Sequence, residues 1–141
     1  MKLALIDDHK LVHDGFKRLI ETEKDWQVIC QADSYQSAID VLHQHQNELS
    51  IAIVDISLPD KNGIELAKYC AAQFPALKII VVSMYDHNPY VANALDAGVK
   101  GYISKRAASD ELLTGIEKVA AGDTYLSQDV INKLHFNDGN R

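Results

Sequence analysis

The 141-residue sequence predicts an α/β fold, a doubly wound parallel sheet of five strands with helices on both faces. Three observations carry that prediction. Short apolar runs alternate with amphipathic stretches along the chain. Three of the runs, LALI, IAIV and IIVV, are continuously apolar, as strands covered on both faces must be. Residues of capping and stopping character bracket the amphipathic stretches.

In chain order the strands fall at Lys2–Ile6, Gln27–Ala32, Ser50–Val54, Lys78–Val82 and Gly101–Ile103. After the first strand, Leu11, Val12, Gly15, Phe16, Leu19 and Ile20 form an apolar stripe at helical spacing. Ile64, Ala67, Cys70, Ala71 and Phe74 form a second stripe, halted by Pro75. Asn88 is expected to cap a helix that has Pro89 in its first position and Gly98 at its stop. Leu112, Leu113, Ile116, Val119 and Ala120 form the last stripe. It is capped by Ser109, carries Asp110 and Glu111 in its first turn, and ends before Gly122. This repeated strand–helix order is a (βα)5 pattern with right-handed crossovers. It bounds a folded unit at residues 1–121, leaving 122–141 as an extension. There the short segment SQDVINKL precedes HFNDGNR, a polar tail that reads as a linker.

Composition narrows the function classes. The chain is 47% hydrophobic and no apolar run is long enough to span a membrane. The amino terminus, MKLALIDD, enters a strand directly and shows no cleavage site, so the expected location is cytoplasmic. A net charge of −6 offers no electrostatic footprint for DNA on this chain. Cys30, in a strand, and Cys70, on a helix, lack metal-ligand spacing and read as structural thiols.

In an open parallel sheet, ligands bind outside the carboxyl ends of the strands. Asp7 and Asp8 follow the first strand, Asp55 the third, Ser83 the fourth, and Ser104-Lys105 the fifth. Three carboxylates and one lysine leave a charge of −2, which a divalent cation would neutralise. Oxygen ligands favour Mg²⁺ or Mn²⁺. A phosphoryl group on one carboxylate would be flanked by metal, Lys105 and the Ser83 hydroxyl, the groups that spread phosphoryl charge in transfer. An aspartate can itself be the nucleophile, giving an acyl phosphate.

The motifs IDDH, VDISLPDKNG, VVS and GYISK, in this order and in these strand contexts, resemble the receiver domain of two-component response regulators. The resemblance covers roughly residues 1 to 121. It implies a flavodoxin-like sheet of strand order 2-1-3-4-5, and a signalling switch rather than an enzyme with external substrates. Asp55 would accept a phosphoryl group from a sensor histidine kinase. Asp7 and Asp8, with Asp55 and the Ser57 backbone carbonyl, would hold Mg²⁺. Ser83 and Lys105 would grip the phosphoryl group, and Tyr102 would change rotamer with phosphorylation. Ser57 and Tyr85 stand where the family tunes dephosphorylation. GDTYLSQDVINKL is similar to the segment that follows the receiver in regulators with a LuxR-type helix-turn-helix output domain. The chain therefore reads as a receiver cut from a longer protein, with homodimerisation on phosphorylation and DNA bound only through the missing domain.

Two positions depart from the family pattern. Arg106 stands where proline often follows the lysine, and a trans Lys105–Arg106 bond is expected. Met84 stands where a small residue often follows the hydroxyl, and its bulk is expected to oppose a fully inward Tyr102.

Other functions fit the same residues less well. A metal-dependent phosphohydrolase needs a general acid two residues after its aspartyl nucleophile, where this chain has Ser57. A nucleotide- or flavin-binding module wants a glycine-rich turn after the first strand, and IDDHKLV has none. A stand-alone or degenerate receiver serving as an interaction scaffold is the remaining alternative. His9 and His13 have the spacing of a soft-metal pair. The apolar stripe beside them favours reading both as solvent-facing helix residues.

Overall fold

In the computed structural model, which describes residues 1–139, strand and helix alternate throughout. The elements are β1 (Lys2–Ile6), α1 (Lys10–Ile20), β2 (Gln27–Ala32), α2 (Tyr35–His45), β3 (Ile51–Val54), α3 (Gly63–Gln73), β4 (Lys78–Ser83), α4 (Tyr90–Asp96), β5 (Gly101–Ser104), α5 (Ala108–Ala120), β6 (Tyr125–Leu126) and α6 (Gln128–Gly139). All strands pair in parallel in one six-stranded sheet of order β2-β1-β3-β4-β5-β6.

The period of two along each strand explains why the central runs are apolar without a break. Leu3, Leu5, Ile51, Ile53, Ile80, Val82 and Ile103 point to one face, where Ile20 of α1 and Leu112, Ile116 and Val119 of α5 cover them. Ala4, Ile6, Ala52, Val54, Ile79, Val81 and Tyr102 point to the other. There they meet Leu42 of α2, Leu66, Ala67 and Cys70 of α3, and Val91 and Ala94 of α4.

The end of the chain differs from the sequence reading. The five expected strands keep the order 2-1-3-4-5, but β6 adds a sixth at the β5 edge. From Gln128 in the segment SQDVINKL, and on through the polar tail as far as Gly139, the chain forms one helix, α6, which buries Val130 fully in the core. Residues 140 and 141 of that tail lie outside the described residues.

Helix α1 is rotated relative to the expected stripe. Leu11 is 85% exposed and Gly15 is exposed, while Phe16, Leu19 and Ile20 pack inward. His13, expected at the surface, is buried, with Nδ1 3.1 Å from Gln31 Oε1 on β2. Two caps also differ. Helix α4 begins at Tyr90 with Pro89 in the capping position, so Asn88 lies one residue too early to cap it. Helix α5 begins at Ala108, so Ser109 lies inside it; Ala107 takes the capping position, with no side-chain cap bond. The stops hold: Gly98 and Gly122, just past α4 and α5, adopt φ of +101° and +102°, where a side chain would be strained.

Both thiols are free. Burial pushes the Cys70 thiol up to about 12. Burial, then the Glu48 charge, pushes Cys30 up to about 11, so neither forms thiolate at neutral pH. Among the described residues, no helix is long and apolar enough to cross a membrane.

One glycine ties the fold to the carboxylate edge. A Cβ at Gly63, the first residue of α3, would lie 2.2 Å from the Asp55 carbonyl oxygen and 2.9 Å from Val54 Cγ1. Gly63→Ala must therefore push backbone against backbone. It is expected to lower unfolding stability by about 1–3 kcal/mol, measured by urea denaturation.

Candidate functional site

Three strand ends bring the reactive groups together. The Asp7 N–H bonds the Ala32 carbonyl and the Asp55 N–H bonds the Ile6 carbonyl, so both backbones continue the sheet ladder one residue past their strands. Because β1 and β3 are neighbours, the two carboxylates project from the same edge. Asp7 and Asp55 are buried, Asp55 to 3% exposure, while Asp8 is exposed. One carboxylate oxygen from each of Asp7, Asp8 and Asp55, together with a His9 ring nitrogen, lie within 4.8 Å of one another.

Lys105, just past β5, reaches across the end of β4 to this pair. Its Nζ donates to Asp55 Oδ2 at 2.9 Å and lies 3.0 Å from Asp7 Oδ2. Burial raises the Asp55 pKa above the ordinary carboxylate value, and the Asp7 charge pushes the same way. Lys105 and the Ser57 N–H, 3.3 Å from Asp55 Oδ1, oppose that rise. Burial works against the Lys105 charge too, but its bonds to Asp55 and Asp7 outweigh it and hold the ammonium above its ordinary pKa.

The donor set fits a hard divalent cation. Three carboxylate oxygens converge, one from a solvent-facing residue that leaves the site open on one side. His9, expected as a solvent-facing residue, joins this cluster. Its ring is more than half exposed, yet Nδ1 stands 2.9 Å from Asp7 Oδ1 and 3.0 Å from Asp8 Oδ1. Its N–H also caps Asp7 Oδ1 at 2.8 Å.

The remaining expected residues cluster beside these groups without touching Asp55. Ser83 is fully buried, and its hydroxyl accepts the Tyr85 N–H at 3.1 Å. The backbones of the two gripping candidates are joined, with Lys105 N–H on the Ser83 carbonyl at 3.0 Å. Tyr102 is fully buried and its hydroxyl donates to the Tyr85 carbonyl. Burial, then the charges of Asp86 and Asp55, raise its pKa well above the ordinary phenol value. The expected obstruction by Met84 does not arise, because its side chain turns outward and is 60% exposed. Tyr85 stacks on Tyr90 of α4 with ring centroids 4.6 Å apart. The Lys105–Arg106 bond is trans, since the chain's one cis bond among the described residues is Asn88–Pro89.

Sequence reasoning missed Asp86. Three residues past Ser83, it reads as a loop acid, yet it is buried and ion-paired with Arg106 and Lys133. Burial opposes its charge, but Lys133 and then Arg106 outweigh it and hold the carboxyl below the ordinary aspartate range. No local pattern announces this group, because one partner arrives with α6.

Comparison with known proteins agrees with this geometry. The family model for the response regulator receiver domain matches residues 3–117. The chain is 39% identical over 133 residues to the transcriptional regulatory protein UhpA of Salmonella typhimurium, covering 94% of this chain and 65% of that protein. It is 32% identical over 135 residues to the oxygen regulatory protein NreC of Staphylococcus carnosus, covering 95% and 61%. The chain thus spans less than two thirds of these curated relatives. Among solved structures, a LuxR-family two-component response regulator from Aurantimonas superposes with a TM-score of 0.91 at 27% identity, covering 97% and 96%. The isolated REC domain of RcsB from Salmonella enterica serovar Typhimurium, with phosphomimetic BeF3⁻, gives 0.86 at 27% identity over 94% and 96%. With matching motifs, sheet order and carboxylate edge, the chain belongs to the response regulator receiver domain family.

Proposed function

We propose that this chain is a phosphorylation switch whose Asp55 carboxylate accepts a phosphoryl group from the phosphohistidine of a sensor histidine kinase or from a small phosphodonor. One arrangement carries the reading: a buried Asp55 carboxylate at the carboxyl edge of the sheet, bonded to Lys105 and flanked by Asp7 and Asp8.

In the transfer, an Asp55 oxygen attacks phosphorus. The bond from phosphorus to the donor nitrogen or oxygen breaks, and its electron pair leaves with the donor. Lys105 leaves Asp7 to follow the phosphoryl oxygens, and the Ser83 hydroxyl turns from the Tyr85 N–H toward them. Asp7, Asp8, Asp55 and the Ser57 carbonyl would hold Mg²⁺ or Mn²⁺, which supplies positive charge to the transferring group. Ser57 and Tyr85, at the rim, set how fast water removes the group, and the chain turns over no external substrate. The group raises the charge at Asp55 from −1 to near −2. That change biases Tyr102 and the α4–β5 face between two arrangements. The altered face favours a homodimer. DNA is bound only through a LuxR-type output domain elsewhere in the protein, a reading supported by relatives named as transcriptional regulators and by a solved RcsB–DNA complex. The acidic chain itself does not contact DNA, and it works in the cytoplasm.

Intact-mass spectrometry after incubation with phosphoramidate, with and without Mg²⁺, tests the reading. One added phosphoryl group is expected, requiring both the metal and Asp55, and none on Asp55→Asn. Absence of any adduct in the wild type would leave an interaction scaffold as the function. Lys105→Ala is expected to bind Mg²⁺ yet not dimerise on phosphorylation; light scattering showing the wild-type dimer would refute the role of Lys105.

The raised Asp55 pKa has a consequence for stability. The folded chain holds this proton more tightly than the unfolded chain, so stability falls as pH rises through the window between the two pKa values. Asp55→Asn removes that cost. The variant is expected to resist urea better than wild type at pH 7, with the difference shrinking toward about pH 4. A variant less stable at every pH would contradict this electrostatic account.

A further inference from the structure

Lys105 is clamped from both sides by the segment that follows α5. On its amino side, the Ser104 hydroxyl donates to Asp129 Oδ2 at 2.5 Å, and the Ser104 N–H donates to Ser127 Oγ at 3.2 Å. Ser127 donates in turn to Asp129 Oδ1 at 2.7 Å. Asp129 sits in the first turn of α6, and its two oxygens thus hold the end of β5 in place. On the carboxyl side, Arg106 donates to Asp86 Oδ2, while Lys133, one turn further along α6, donates to Asp86 Oδ1 at 2.7 Å.

The Asp86 link reaches the second gripping residue as well. Asp86 belongs to the loop that follows Ser83 and contains Tyr85, which binds both the Ser83 hydroxyl and the Tyr102 phenol. So α6 is bonded to the loops that carry Lys105 and Ser83, through side chains that Asp55 does not touch. A buried carboxylate that loses one of its cations leaves charge uncompensated, which makes this tie sensitive to movement of either loop.

Resting on the Asp55 reading above, we propose that Asp129 and Lys133 are positioning residues for Lys105, acting through Ser104 and through Asp86–Arg106. Docking of α6 and phosphorylation of Asp55 are then coupled. A lysine whose backbone is fixed on both sides meets the phosphoryl oxygens without first being ordered, and loosening either tie forfeits that preorganisation. Coupling of this kind is reciprocal, so phosphorylation must change the hold on α6 by the same factor that α6 changes phosphorylation. The segment leading toward the rest of the protein would in this way read the state of Asp55 directly.

The test compares phosphoramidate labelling rates of the full chain, as wild type, Lys133→Met, Asp129→Asn and Lys133→Arg, with hydrogen exchange of the α6 amides before and after labelling. Lys133→Met and Asp129→Asn are expected to label roughly fivefold or more slowly, the lower end of ordinary coupling. Lys133→Arg is expected to restore the rate, which a merely structural loss would not show. Wild-type α6 amides are expected to change exchange rate on phosphorylation, and those of Lys133→Met are not. Labelling of both disruptive variants at the wild-type rate, with wild-type labelling intact, overturns this inference alone. A wild-type chain that takes no phosphoryl group overturns it together with the Asp55 reading.

Discussion

The Lys105 ammonium between Asp7 and Asp55 is the interaction on which the rest of this structure depends. Like charges about 4 Å apart repel by roughly 4 kcal/mol at an effective dielectric near 20. Two buried carboxylates on neighbouring strands therefore cannot both stay ionised without a cation between them. The sheet order decides who supplies it: β3 separates β1 from β4, and β5 lies one strand beyond. From there a lysine has the reach to meet both acids across the end of β4. The two apolar faces that dry the sheet thus create both the electrostatic demand at its edge and the geometry that meets it.

The residues beside this centre stand in an arrangement that combines two tendencies. Lys105 lies on the carboxylates and the Ser83 hydroxyl is engaged by its own loop, so both are held by groups of the chain itself. Tyr102 is already fully inside, fixed to the Tyr85 carbonyl, with Met84 turned away from it. On the proposed reading, a ligand on Asp55 acts first on Ser83 and Lys105, and only through them on Tyr102 and the α4–β5 face. Its free energy can be spent on those two groups and on what they hold.

The central strands and the list of strand-end residues were legible in the sequence because each rests on a local rule. Continuous apolar runs mark strands covered on both faces, and the residues that follow parallel strands share one edge. Where those rules stop, the reading went astray for physical reasons. His13 reads as a surface residue because Leu11 looks like a core residue, whereas α1 turns Phe16, Leu19 and Ile20 onto the sheet and thereby carries His13 inward, beside Gln31 of β2. Ser109 has the chemistry of a cap, but α5 begins one residue before it, with Ala107 in the capping position and no side-chain cap bond. The tail HFNDGNR reads as a linker because it is polar, and nothing local in the segment before it announces a packed helix. Its docking joins Val130, fully buried in the core, to polar groups, Ser127, Asp129 and Lys133, whose partners are fixed only in three dimensions. Asp86 and Arg106 were opaque in sequence for the same reason.

The most direct measurement of the central claim is a crystal structure of the chain with Mg²⁺ and beryllofluoride, a phosphoryl mimic. If Lys105 serves as the cation that the site surrenders, its Nζ will be found on a fluoride bound at Asp55, with the metal on Asp7 and Asp8. A lysine still bridging Asp7 and Asp55, with no beryllofluoride on Asp55, would contradict the account.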